Sequence, residues 1–290
     1  MSDAESVITS LKWDVRQRLT FLEATVFWTG ELATGFLTNT FAISRVQATK
    51  DIGLYSSLRP GNLRYDLSLK RYLITEQFVP LLISGQPQEC LQVLQASRDS
   101  PPPLLALVGN LPAVETVNPP ARLVDIAVLK PVLQAARFGS LLEIGYQSMS
   151  TPEPARRLVQ PKTLVFDGLR WHMRAYSLSH GEYRDFVLAR IHSAAAAGKP
   201  DAPIPPDSRW EQLLTVEIGP HPGLSDSQKR AVERDYGMVD GRHAVQVRAA
   251  LLPYFLLAAR IGADDLQREA MAQQIVLLNR AELEPYTEFG

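Results

Sequence analysis

The sequence predicts a multidomain α+β protein, and three observations carry that reading. The chain has 290 residues, enough for two or three domains that each bury a core. Apolar residues recur with a helical period from Leu11 to Leu58, then with strand-like alternation from Leu141 to Ile191. From Leu213 to Ile261 the pattern switches repeatedly between the two. Hydrophobic residues make up 46 % and charged residues 21 %, the proportions of an ordinary globular chain.

The N-terminal elements follow from local chemistry. Trp13, Leu19, Leu22, Val26 and Phe27 recur at helical spacing and predict one long helix that stops at Gly30. A second helix fits Glu31 to Thr40, and Phe41-Ala42-Ile43 makes a short apolar turn. Ser44 is a good N-cap for a third helix that runs to about Leu58, with Ala48, Ile52 and Tyr55 as its inward stripe. Pro60-Gly61-Asn62 ends it, and Leu63 to Asp66 can pair with Arg71 to Thr75 as a hairpin. Helix, helix, turn, helix, hairpin is the order of a winged helix-turn-helix, assigned to residues 1–79.

Residues 80–140 read as a helical connector, with helices over Gln86 to Gln95 and about Val124 to Phe138 and a loop at Ser100-Pro101-Pro102-Pro103. Residues 141–198 are rich in strands: Leu141 to Ser148, Leu158 to Phe166, Leu169 to Ser177 and Phe186 to Ile191, with turns at Thr151-Pro152, Asp167-Gly168 and His180-Gly181. Ala194 to Pro200 is a low-complexity linker, and residues 199–290 form a small α+β domain with an acidic tail.

The formal net charge of −1 favours no partner, but its distribution does. Basic residues gather between Ser44 and Tyr72 and again between Ala155 and His192, which suggests two separate anion-binding surfaces. On the third helix the inward stripe leaves Ser44, Arg45, Gln47, Thr49 and Lys50 as donors for bases and phosphates. In the hairpin Asn62, Arg64, Lys70 and Arg71 are placed to reach phosphates or the adjacent minor groove. Further on, Arg170, His172, Arg174 and Tyr176 alternate with Trp171, Met173 and Ala175, so they share one strand face. An arginine fork, a switchable imidazole and a phenol make a poor core and a good anion site. The bland alternative at both places is a solvated surface.

Other chemistries find no support. The histidines form no HExxH or similar ligand pair, and no GxSxG, P-loop or GxGxxG is present, so no metal, cofactor or enzyme activity is expected. Asp264-Asp265 reads as a turn that caps a helix. The lone Cys90 excludes an internal disulfide and fits a small buried hydrophobe. No apolar run reaches membrane-spanning length and the N-terminus lacks a secretory pattern, so a cytoplasmic protein is expected.

The stretch Leu142 to Ile191 resembles a WYL domain. LEIGYQS, then RRLVQPKTLVFDGLRWHMRAYSLSHGEYRDFVLARI, follows its order of strand, Arg-x-x-x-Pro, Gly-x-x-Trp and Arg-x-Phe-x-x-x-Arg-Ile, with Trp171-His172-Met173 where Trp-Tyr-Leu names the family. Winged helix, WYL domain and C-terminal extension together resemble WYL transcription factors over nearly the whole chain. Trp-His-Met-Arg-Ala-Tyr and the ISRxQA of the third helix resemble the repressors beside bacterial anti-phage defence operons of the BREX and CBASS kinds. The resemblance implies an Sm-like β-barrel that senses a nucleotide or oligonucleotide, and homodimers joined through the C-terminal domain. Matched position by position, it also implies an effector site of Tyr146, Ser148, Arg157, His172, Arg174, Tyr176, Arg184 and Arg190. The expected function is transcriptional autorepression of a phage-defence operon at a pseudo-palindromic double-stranded operator, controlled by that ligand. The alternatives are a nucleic-acid-sensing adaptor that regulates an enzyme by contact, and a hydrolase built on His172 and the arginines.

Overall fold

A computed structural model describes residues 3–96, 115, 117, 120, 122–150 and 153–288. The loop expected at Ser100 to Pro103 and the turn at Thr151-Pro152 lie outside the described residues. The chain divides into two compact units, Met1–Asn118 and Pro119–Gly290.

The first unit opens with α1 (Asp3–Ser10) and α2 (Trp13–Thr29). Gly30 ends α2 at φ 82°, a left-handed conformation that costs glycine no Cβ clash, and its N–H donates to the Val26 carbonyl. The next segment departs from the expected helix over Glu31 to Thr40. Glu31–Leu32 forms β1, and only Thr34–Phe41 is helical, as α3. The hairpin strands β2 (Leu63–Asp66) and β3 (Arg71–Ile74) leave one edge open, and β1 pairs along it in the order β1-β3-β2. Unpaired edge N–H and C=O groups thus override helix propensity over those residues. Ala42 turns the chain at φ 51°, and α4 (Arg45–Leu58) follows, with the Ser44 hydroxyl accepting from the Gln47 N–H at 3.1 Å.

The core of this unit is Leu19, Leu22, Val26, Leu37, Ala48, Ile52 and Tyr55, with Phe78 and Leu82 packed against it. Trp13, expected in the inward stripe, is 76 % exposed. A fully buried carboxylate fixes the segment after the hairpin: Glu23 accepts from the Leu81, Leu82 and Ile83 N–H groups and from the Tyr55 hydroxyl. Three backbone donors and a phenol supply what water would otherwise give the charge. The helix α5 (Pro87–Ala96) completes the unit.

The second unit begins with α6 (Ile126–Phe138), capped by Asp125 and ended by Gly139 in the left-handed region. Five antiparallel strands follow: β4 (Leu142–Tyr146), β5 (Ala155–Phe166), β6 (Trp171–Ser177), β7 (Glu182–Val187) and β8 (Ile191–Ala196). Their spatial order is β7-β6-β5-β4-β8. A 3₁₀ turn over Leu188–Arg190 joins β7 to β8, so the chain returns to pair with β4. The register of β5 against β6 shifts between Pro161 and Thr163, where proline has no N–H to give the ladder. This is the helix-plus-five-strand order of a small Sm-like fold. Its core joins Val128 and Val132 of α6 to Leu142, Ile144, Val159, Met173, Ala175 and Phe186.

The remaining segment holds α7 (Ser208–Glu211), β9 (Leu213–Pro220), α8 (Asp226–Tyr236), β10 (His243–Arg248), α9 (Leu252–Ala258), β11 (Ile275–Leu277) and α10 (Arg280–Leu283). The strands order as β10-β9-β11. Ser225 and Gln228 form a reciprocal capping box at the start of α8. Asp265 does not cap a helix as expected. It is buried, accepts from the Leu277 N–H and pairs with Arg280 at 2.8 Å, so it pins β11. Among the described residues, no helix is long and apolar enough to cross a membrane.

Candidate functional site

On α4, burial of Ala48, Ile52 and Tyr55 fixes which side faces out. A buried ion pair fixes the rotation further: Arg18 Nε donates to Asp51 Oδ2 at 2.6 Å, and Arg18 also reaches Asp14 at 2.9 Å. The Asp51 bond, set against burial, holds the Arg18 guanidinium above its usual pKa. Asp51 Oδ1 also accepts from Gln47 Nε2 at 2.9 Å, so Gln47 is half-buried and tethered. Ser44, Arg45, Thr49 and Lys50 are exposed, and Arg45 and Lys50 form no ion pair among the described residues. Val46 is exposed among them at 66 %, a position that a search for donors passes over.

The hairpin needs a correction. Asn62, read as a groove contact, is 2 % exposed. Its amide donates to the Tyr55 hydroxyl at 2.9 Å and the Val79 carbonyl at 3.0 Å, and its oxygen accepts from the Val79 N–H at 3.1 Å. It braces the hairpin from inside. The other three wing cations are exposed: Arg64 lies 3.5 Å from Asp66, Arg71 pairs with Glu31, and Lys70 pairs with no acid among the described residues.

The five-stranded sheet sorts the expected effector residues into two groups. Strand register decides the face. Arg157 pairs with Ile144 and Arg184 pairs with Ala175, both core positions, so the two arginines lie on the core side. They sit at the sheet end where β4 and β5 meet and β6 turns into β7, and Ser148 and Arg190 flank the same end. Arg157 Nε is buried and has no hydrogen-bond partner among the described residues. Arg184 pairs with Glu182. His180 joins them from the β6–β7 turn, with Nδ1 2.9 Å from the Ser177 hydroxyl and 3.0 Å from that of Ser179. Desolvation first, then the charges of Arg184 and Arg157, hold the His180 pKa below its usual value. The arrangement is a polar cluster at one sheet end with a guanidinium donor unmatched among the described residues, suited to a negatively charged oxygen. Sequence order alone reads His180 as a turn residue.

The other expected residues do not join this cluster. Tyr146 belongs to the core: it stacks edge-on against Phe186 at 5.1 Å, and its hydroxyl accepts from the Val187 N–H. His172, Arg174 and Tyr176 lie on the opposite face, which the C-terminal segment covers. His172 is 2 % exposed and Arg174 3 %. Arg174 Nη2 donates to Asp207 Oδ1 at 2.8 Å and Nη1 to Asp185 Oδ1 at 3.1 Å. Burial opposes its charge, but the two carboxylates outweigh that and raise its pKa. The Tyr254 hydroxyl of α9 donates to Asp185 Oδ2 at 3.0 Å and lies 3.4 Å from His172 Nδ1. Burial, then Asp185, raises the phenol well above its usual range. His172 Nε2 donates to Asp167 Oδ2 at 2.8 Å, and Tyr183 donates to the Pro205 carbonyl at 2.8 Å. For Asp167, burial works against the charge, but His172 and two backbone N–H groups bring its pKa below the usual value. Alternation correctly puts these residues on one face; the face is an internal latch, with its cations already neutralised.

Comparison with known proteins matches this organisation segment by segment. Residues 14–96 match the winged helix-turn-helix domain of the BrxR transcriptional regulator, 127–196 the WYL domain, and 213–283 the BrxR C-terminal dimerization domain. The chain is 33 % identical over 283 residues to the DNA-binding transcriptional repressor CapW of Escherichia coli strain KTE188, covering 97 % of this chain and 94 % of that one. It is 35 % identical to CapW of Stenotrophomonas maltophilia, at 94 % and 92 % coverage, and 31 % identical to CapW of Pseudomonas aeruginosa, at 96 % and 93 %. Among solved structures, proteasome accessory factor B/C of Arthrobacter aurescens aligns with 87 % of this chain and 44 % of its own length at 17 % identity and a TM-score of 0.25, too shallow a likeness to bear on the fold.

Proposed function

The chain belongs to the BrxR and CapW family of WYL-domain transcriptional repressors, and from that premise we propose that it is a homodimeric, ligand-controlled repressor of a phage-defence operon. Residues 1–79 are the DNA-binding domain, 80–140 the connector, 141–198 the effector-sensing domain and 199–290 the dimerisation domain. Two copies of α4 enter successive major grooves of a pseudo-palindromic operator in the cytoplasm, about one helical turn or a multiple apart. Arg45 and Lys50, exposed beside the Ser44 cap and unpaired among the described residues, support this role.

The effector is an anionic nucleotide or oligonucleotide held by the cluster of Arg157, Arg184 and His180, with Ser148 and Arg190 at its rim. The single observation that carries this reading is the buried Nε of Arg157 with no acceptor among the described residues. A buried donor left unmade costs about 1–3 kcal/mol, which a bound phosphate oxygen would recover. On β7, Arg184 belongs to this cluster while its neighbour Asp185 faces the latch to Arg174 and Tyr254. Movement of that strand on binding therefore transmits to the C-terminal domain.

Fluorescence anisotropy with a short single-stranded DNA carrying only phosphodiesters tests the cluster. Arg157→Ala is expected to weaken binding roughly 10–150-fold, the worth of one charge-assisted bond, while duplex operator binding persists. Unchanged oligonucleotide affinity in that variant rejects the cluster as the site.

A further inference from the structure

We propose that Val46 is a specificity-determining residue that reads the 5-methyl group of thymine in the major groove; this rests on the DNA-binding reading of α4. At about 100° per residue, Val46, Lys50 and Gly53 fall within roughly 60° of one another and roughly opposite Ala48, Ile52 and Tyr55. Those three are buried, so the Val46 stripe is the part of α4 that projects furthest from the domain. The rotation has little play, because Asp51 is tied both to Arg18 and to Gln47.

Along this stripe the chemistry is graded. Val46 is the second residue of the helix, where base edges are reached first. Lys50 lies one turn on, and Gly53 a further turn, with nothing within 4 Å of the place a Cβ would take. That absence of a side chain lets the later part of the helix come close to the duplex backbone. Val46 itself cannot donate or accept a hydrogen bond. Facing a groove floor of amides and carbonyls, a bare isopropyl group would strand polar atoms without partners. The one apolar feature presented there is the thymine methyl. Exposure of 66 % for a β-branched apolar residue amid Arg45, Thr49 and Lys50 thus has a matching partner of stated chemistry. Gln47, the nearest polar candidate for base reading, is held back by Asp51.

Deoxyuridine differs from thymidine only by that methyl, which makes the test direct. The full chain first selects duplexes from a random pool; each thymine of the selected duplex is then replaced singly by deoxyuridine and affinity is measured. At one thymine per half-site, wild type is expected to lose about 3–5-fold, the worth of one buried methyl. Val46→Ala should bind the thymine and uracil duplexes equally at that position. Lys50→Ala should bind all duplexes more weakly yet keep the thymine-to-uracil ratio. Equal binding of every uracil duplex by wild type, or an unchanged ratio in Val46→Ala, overturns the assignment. Failure to select any duplex instead overturns the DNA-binding reading on which it stands.

Discussion

His180 sits in the field of two guanidinium groups, with Glu182 the nearby acid, and that placement gives it a measurable pH signature. Desolvation, Arg184 and Arg157 lower its pKa from the usual 6.5, so the free cluster holds a neutral imidazole at pH 7. A bound phosphodiester adds negative charge and raises that pKa, so binding takes up a proton. The sign follows: the extra affinity is complete below the free-state pKa and is lost as pH rises through the bound-state pKa. Oligonucleotide affinity is therefore expected to increase as pH falls through the bound-state pKa and to level off below the free-state one, which lies under the usual value, and His180→Ala should flatten that dependence. Isothermal titration in two buffers of different ionisation enthalpy reads the proton uptake directly. Asn62 shows the opposite case at this scale, since its amide is fully used inside the domain and brings no group to a duplex.

Strand β6 carries two jobs on its two faces. Met173 and Ala175 fill the core, while His172 and Arg174 lock the sheet to the C-terminal segment. Alternation predicts the split but not what lies over the polar side. Removing Arg174 strands Asp185 and Asp207 as buried charges, and breaking such a pair typically costs about 3–5 kcal/mol. Arg174→Ala should therefore lower Tm by roughly 6–20 °C, whereas Arg157→Ala should leave it nearly unchanged. Thermal unfolding followed by circular dichroism compares the two. An Arg174→Ala melt that matches wild type would remove the latch as a structural element. The α2–α4 contact works similarly in the first unit, where Arg18 and Asp51 set the rotation that presents Val46.

At the scale of the whole molecule, the near-zero net charge hides the proposed duplex-facing surface, which should behave as strongly cationic. Arg45, Lys50 and Lys70 are unpaired among the described residues, while Arg64 and Arg71 are already matched by acids. Three effective phosphate contacts per protomer in a dimer predict a slope of log K against log salt of about −5. A gel-shift titration over 50–200 mM salt measures it, and a flat response removes the DNA reading. Lys70→Ala should reduce the slope by about 2, one contact per protomer; Arg71→Ala should reduce it less. Coupling between the cluster and the operator is reciprocal, so a ligand that weakens operator binding must itself be weakened by operator to the same degree.

Much of this architecture is written locally. The Ser44 cap, the Ala48-Ile52-Tyr55 stripe, the Gly30 and Gly139 stops and the alternation along β6 each depend on residues a few positions apart, so the sequence alone yields the winged helix and the strand-rich domain. Tertiary structure decided which polar residues remain available. Arg157 and Arg174 are the same side chain on neighbouring strands, yet the buried Nε of the first has no partner among the described residues and the second lies between two carboxylates, Asp207 lying 33 residues from it in the chain. Likewise β1 became a strand because a distant hairpin offered it an edge, and Asn62 left the surface because Val79 and Tyr55 met its amide. Periodicity assigns a side chain to a face; only the long-range partner that folds over that face determines whether its charge and its hydrogen bonds are still free to meet a ligand.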